Sequence, residues 1–265
     1  MTLFIRELKG NFKSFVIWTL CIIVMLGVFM AMFPSFAAQG DSLDQMLSGF
    51  SEDMLKMFSF DNLEFTVGID YYAYMFQYML LAAMIQFMVL GAGLISKEED
   101  GGTINFLYAK PLSRTSIVTT KFLAGLTYAA AFFIVYTVSA CAVLAIVDTA
   151  AIDFGVVLLF SFALLLGQLM LMGIGMLLSM FVTKTRTLMS LSIGVVLLMY
   201  ILSMVVNLNA DLGALKYLTP FQYFDSRSIL HNMRIEWIYA ILPVSVGLAG
   251  YALSLVIYNR RDLKC

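Results

Sequence analysis

The side chains that most often carry chemistry are sparse and poorly spaced in this chain. His231 is the one histidine and stands near Arg234 in a polar connection. The sequence holds no H-E-x-x-H, no G-x-S-x-G, and no Gly-Lys dipeptide from which a phosphate-cradling Walker loop could be built. Cys21 and Cys141 fall inside apolar runs and Cys265 is the last residue, an odd count without the paired spacing of a metal site. Each reads as a small hydrophobe. Gln77, Gln86, Gln168, Ser139 and Ser203 are polar groups set within apolar runs, and such amides and hydroxyls bond between helices. No catalytic, cofactor-binding or metal-binding set is expected.

The elements that must position these residues are membrane helices. Of 265 residues, 62% are hydrophobic and 12% charged, and the mean hydropathy is +0.92. A soluble domain carries about 25% charged residues. The net charge of −1 leaves no basic field for nucleic acid. Six runs without Asp, Glu, Lys or Arg lie at about 14–33, 71–95, 122–147, 154–182, 188–206 and 237–258, each long enough to span a bilayer. The expected fold is all-α, a polytopic membrane protein with six spans forming a single transmembrane domain over 1–265. The first run is longer than a signal-peptide core, so it is expected to stay as an anchor.

Polar flanks orient the bundle. Twelve of the sixteen Lys and Arg fall on one side, among them Arg6, Lys9, Lys13, Lys97, Arg114, Lys121 and Arg260. The positive-inside rule places that side, with both termini, in the cytoplasm of a cell-membrane protein. Phe4, Leu8 and Phe12 recur every four residues before the first run, with cations on the other faces. This predicts a short helix lying in the interface, the alternative being an extension of the first span. On the outer side, residues 34–70 are too long for a bare connector and carry two short amphipathic stretches, 43–50 and 54–58. Tyr71, Tyr72, Tyr74 and Tyr78 follow as an outer aromatic belt with wet hydroxyls.

The segment from Ser96 to Arg114 is the most informative. Gly101 and Gly102 break the helix leaving the membrane, Thr103 can cap a new one, and Glu98, Glu99 and Asp100 set anions near its positive end. Pro111 stops it after about two turns, and Ser113 can cap the helix that re-enters. So short a helix is unstable alone in water. Yet Ile104, Leu107 and Tyr108 form an apolar stripe at helical spacing, which fits either docking to a soluble partner or resting on the bilayer.

The stretch Glu98–Arg114, with Gly-Thr, Phe-Leu, Pro-Leu-Ser-Arg and then Lys121, resembles the first cytoplasmic loop of type-2 ATP-binding-cassette export permeases. Residues 46–60 are similar to the outer helical pair after that family's first span, and 217–225 to the turn after its fifth. The nearest likeness is to small permeases of peptide-antibiotic resistance and multidrug export. The resemblance implies a coupling helix seated in an ATPase subunit through Glu98, Glu99, Asp100, Thr103, Ile104, Leu107, Tyr108 and Arg114. It also implies two ATPase copies, which hold ATP and Mg, and a second permease copy or sister permease.

Nineteen Met are many for this length. An unbranched, polarizable side chain suits a surface that adapts to varied apolar cargo. Met79, Gln86, Met88, Gln168, Met172 and Met176 are therefore candidates to line a pathway, ordinary helix packing being the alternative reading. A non-transporting anchor or immunity protein needs no motif and stays open. A membrane-embedded enzyme lacks its constellation, and an ion-coupled transporter lacks charge at depth.

Overall fold

The computed structural model describes residues 2–40, 48–57, 66–101, 113–147, 153–182, 184–208 and 215–260. Among them the regular structure is helical, without strands. The α-helices are α1 (Thr2–Ala37), α2 (Glu52–Met57), α3 (Gly68–Asp100), α4 (Arg114–Val147), α5 (Phe154–Leu178), α6 (Thr185–Leu208), α7 (Pro220–Tyr223), α8 (Ser226–Asn232) and α9 (Trp237–Arg260). Six of these, α1, α3, α4, α5, α6 and α9, are long and apolar enough to cross a membrane. In hydrocarbon the backbone groups must be satisfied within the segment, and a continuous helix does that.

Each predicted run falls on one of these helices, and most helices extend beyond their run into polar sequence. The third starts at Arg114 rather than 122 because Ser113 Oγ accepts the Ser116 amide at 3.1 Å. Asp153 caps α5 through the Gly155 and Val156 amides, at 2.8 and 3.3 Å. The fourth run was expected to reach 182, but α5 ends at Leu178 and Ser179–Phe181 turn away.

One expectation is corrected. Residues 2–15 are not a separate interfacial helix, because α1 runs unbroken from Thr2 to Ala37. At 1.5 Å per residue α1 is about 54 Å long, well beyond the ~30 Å hydrocarbon core. Nothing between Leu8 and Phe15 interrupts the helical pattern, so the amphipathic stretch continues the span.

α3 and α5 form the centre. The apolar windows of α3 and α5 are 78% and 61% buried, against 22% for each of the other four. Glycines allow the close approach: a Cβ on Gly91 of α3 would lie 2.2 Å from the Met172 carbonyl oxygen of α5. Likewise a Cβ on Gly173 of α5 would lie 2.2 Å from the Gly247 carbonyl oxygen of α9. Where lipid is as apolar as the side chains, such backbone-to-backbone contact is what holds helices together. The peripheral helices keep an outward apolar face. Leu20, Val24 and Val28 of α1 are exposed while Ile22, Leu26 and Met30 are buried, as a bilayer surround allows.

The tyrosine belt is drier than expected. Tyr71 and Tyr72 are buried. Tyr71 donates to the Phe29 carbonyl at 3.1 Å, and the hydroxyls of Tyr72 and Tyr136 meet at 3.2 Å. Tyr74 and Tyr78 pair with each other at 2.8 Å. Each hydroxyl finds a partner inside the helix packing instead of water. Of the outer stretches, α2 is helical, while 41–47 and 58–65 lie outside the described residues.

Candidate functional site

At the basic end of the bundle, α3 ends and α4 begins on either side of residues 102–112. Charged side chains from α1, α3 and α4 converge there. Lys121 of α4 is 1% exposed. Its Nζ lies 2.9 Å from Glu7 Oε1 of α1 and 3.1 Å from Glu98 Oε2 of α3, and donates to the Leu94 carbonyl at 2.5 Å. Arg6 Nη2 reaches Glu98 Oε1 at 3.2 Å. Lys97 Nζ donates to Asn11 Oδ1 at 2.6 Å, and the Tyr128 hydroxyl donates to the Leu8 carbonyl. Burying a lone charge costs several kcal/mol, so Lys121 is tolerated because two carboxylates and a carbonyl surround it.

Two further ties leave this centre. Asp100 Oδ2 accepts the Thr185 amide at 3.3 Å, an anion at the positive N-terminus of α6. Arg114 Nη1 donates to the Tyr258 and Asn259 carbonyls at 3.4 and 3.2 Å, a cation at the negative C-terminus of α9. The two flanks of 102–112 are thus held to α1, α6 and α9 as well as to each other.

This placement sorts the residues singled out in the sequence. Glu98 and Lys121 are brought together, and Asp100 and Arg114 each meet a helix end. Glu98 was expected to face a partner, but it is 6% exposed and taken up within the chain. Its desolvation is compensated by Arg6 and Lys121, which an outward-facing carboxylate would not need. Asp100 is exposed and still bonded to Thr185. The side chain of Glu99 and the whole of Thr103, Ile104, Leu107 and Tyr108 lie outside the described residues.

Most of the pathway candidates lie inside the helix packing. Met79, Met88, Gln168, Met172 and Met176 are each 0% exposed. They sit in the packed contact between α3, α5 and their neighbours: the Met172 sulfur would be 2.4 Å from a Cβ on Gly125 of α4. Among the described residues they fill a core. Gln86 differs, since it borders a crevice between α1, α3 and α6.

Glu7 and Arg6 were missed as site residues. The available signal was Glu7 itself, the one acid among the cations of residues 1–13. A lone carboxylate there needs a reason, and Lys121 supplies it.

The fold and this centre define a multi-pass α-helical membrane protein with its polar machinery gathered at one end of the spans. The chain belongs to the ABC-2 family of transporters: the family model described as ABC-2 family transporter protein matches residues 1–263. Among curated proteins no match is found. Membership makes the chain a permease of ABC-2 type, the membrane subunit of an ABC transporter, in a class that associates with an ABC ATPase.

Proposed function

We propose that the chain is the permease of an ATP-driven exporter in the cell membrane, with both termini cytoplasmic, carrying an apolar or amphipathic cargo such as an antimicrobial peptide or drug. Residues 103–108 form the coupling helix and dock on a separate ATPase through Ile104, Leu107 and Tyr108. Two ATPase copies hold ATP and Mg, and a second permease copy or a sister permease completes the pathway. Because the methionines of α3 and α5 are closed inside one chain, the pathway runs between the two permeases.

The observation that carries this reading is the bracing of both flanks of 102–112. A push on that segment reaches α1 through Glu98 and Arg6, α6 through Asp100, and α9 through Arg114. A bistable bundle biased by a partner needs such ties at the point of contact.

Recovery of the ATPase with wild type and with Leu107→Asp, at matched membrane abundance, tests it. An unpaired charge in an apolar contact costs several kcal/mol, so ATPase recovery should fall about a hundredfold, at ~1.4 kcal/mol per tenfold. Equal recovery would end the docking reading. A wild-type chain that brings down no ATPase would return the non-transporting anchor.

A further inference from the structure

We propose that the crevice between α1, α3 and α6 is a water site, holding a water molecule on the side-chain amide of Gln86 deep in the membrane. Its lining includes Asn11, Ser14 and Trp18 of α1, Gln86 and Lys97 of α3, and Met189 of α6.

Three observations select this occupant. The first is an orphaned polar atom. Gln86 is 4% exposed, and its Oε1 has no hydrogen-bond partner among the described residues. Its Nε2 is taken up by Thr19 Oγ1 at 3.3 Å. Turning the amide over would only exchange the two atoms, so one is left over in either orientation. Gln86 lies eleven residues from Lys97 on α3, about 16 Å along the axis and well within the ~30 Å hydrocarbon core. An unpaired amide atom is costly at that depth.

The second is size. The crevice has a volume of about 30 Å³. One water needs ~10–15 Å³ of such space, which a lipid or a cargo far exceeds.

The third is charge and access. Lys97 is exposed at the basic end, where it donates to Asn11 Oδ1 at 2.6 Å and feels the Glu7 carboxylate. The mouth of the crevice therefore presents no lone charge to recruit an ion. The stem of Lys97 lies back along α3, where Gly93 makes room for it: a Cβ there would stand 3.2 Å from Lys97 Cε. Water entering from the basic end meets Lys97, Asn11 and Ser14 before it reaches Gln86. The site needs neither the ATPase nor the cargo.

The test is X-ray radiolytic labelling of the full-length chain in lipid nanodiscs, with the oxidation of each side chain read by mass spectrometry. Hydroxyl radicals formed from a bound water oxidise the side chains that line its site. In wild type, Trp18 and Met189 should be oxidised severalfold faster than Met79 and Met172, which are 0% exposed in the packed core. Val89→Leu adds one methylene to the crevice wall and should bring Trp18 and Met189 down toward the Met79 rate. Its effect on thermal unfolding has a diagnostic sign. Displacing a water that satisfies Gln86 lowers stability, whereas filling a dry void raises it. Val89→Leu should therefore lower the unfolding midpoint by about 2–4 °C in the wild-type chain. On a Gln86→Leu background, where no amide needs the water, the same change should raise the midpoint. The proposal is overturned if Trp18 and Met189 are oxidised no faster than Met79, or if Val89→Leu leaves their rates unchanged. It is equally overturned if Val89→Leu raises the midpoint with Gln86 in place.

Discussion

The ammonium of Lys121 and the carboxylate of Glu98 lie 3.1 Å apart, both buried, on helices that enter and leave the two sides of residues 102–112. This contact ties together the helices on either side of that segment, and through the second oxygen of Glu98 it reaches Arg6 at the far end of the sequence. A segment anchored in this way moves with the helices below it, whereas an untethered loop would swing without effect on the spans.

Removing Lys121 takes from two buried carboxylates, Glu7 and Glu98, the cation they share. Lys121→Met should destabilise the bundle by about 3–5 kcal/mol, the usual cost of breaking a buried pair from one side. Thermal unfolding followed by fluorescence-detected size exclusion measures it. Adding Glu7→Gln and Glu98→Gln should recover much of the loss, since the carboxylates that shared the cation lose their charge with it. A wild-type melting curve for Lys121→Met would show that the network carries no stability.

Glycine substitutions should divide by the space at each site. Gly173→Val drives a side chain into the Gly247 backbone of α9, 2.2 Å from the first added carbon. It should cost at least about 1–3 kcal/mol, because backbone cannot yield as a side chain does. Gly194→Ala meets nothing within 4 Å and should be neutral or gain up to about 1 kcal/mol from helix propensity. The same melting assay compares them, and equal behaviour would contradict the packing of α5 on α9.

Topology is open to direct labelling. With Cys21, Cys141 and Cys265 replaced, Gln45→Cys should react with an impermeant thiol reagent applied outside intact cells. Lys9→Cys should react only after permeabilisation, as the distribution of Lys and Arg requires. Reversed labelling would invert the bundle.

The isolated chain should hydrolyse no ATP, because its sequence contains no loop able to cradle the phosphates. Phosphate release from purified permease should match background and rise only when the ATPase is added. Robust turnover by the chain alone would remove the division of labour proposed above.

Sequence alone determined six apolar runs, and each falls on a helix long and apolar enough to cross a membrane. An apolar run of twenty residues has few alternatives to a membrane helix, and capping residues such as Ser113 and Asp153 act on amides two or three positions away. It also singled out residues 96–114, since Gly-Gly, Pro and an apolar stripe are local signals. What it could not determine was which faces meet. Hydrophobicity is uniform around α3, so nothing in its pattern shows that Met79 and Met88 pack inward while Gln86 borders a crevice. Lys121 reads as a flank cation and Glu98 as an anion that faces a partner, because each lies just outside an apolar run, and Glu7 gives no local sign of either. Only the packing of α1 against α3 and α4 brings both carboxylates within 3.1 Å of the Lys121 ammonium and buries all three. Span length is set by the bilayer and is written in the composition of each segment. The pairing of buried charges depends on helix register across the bundle, which is set by close contacts such as that of Gly91 with Met172.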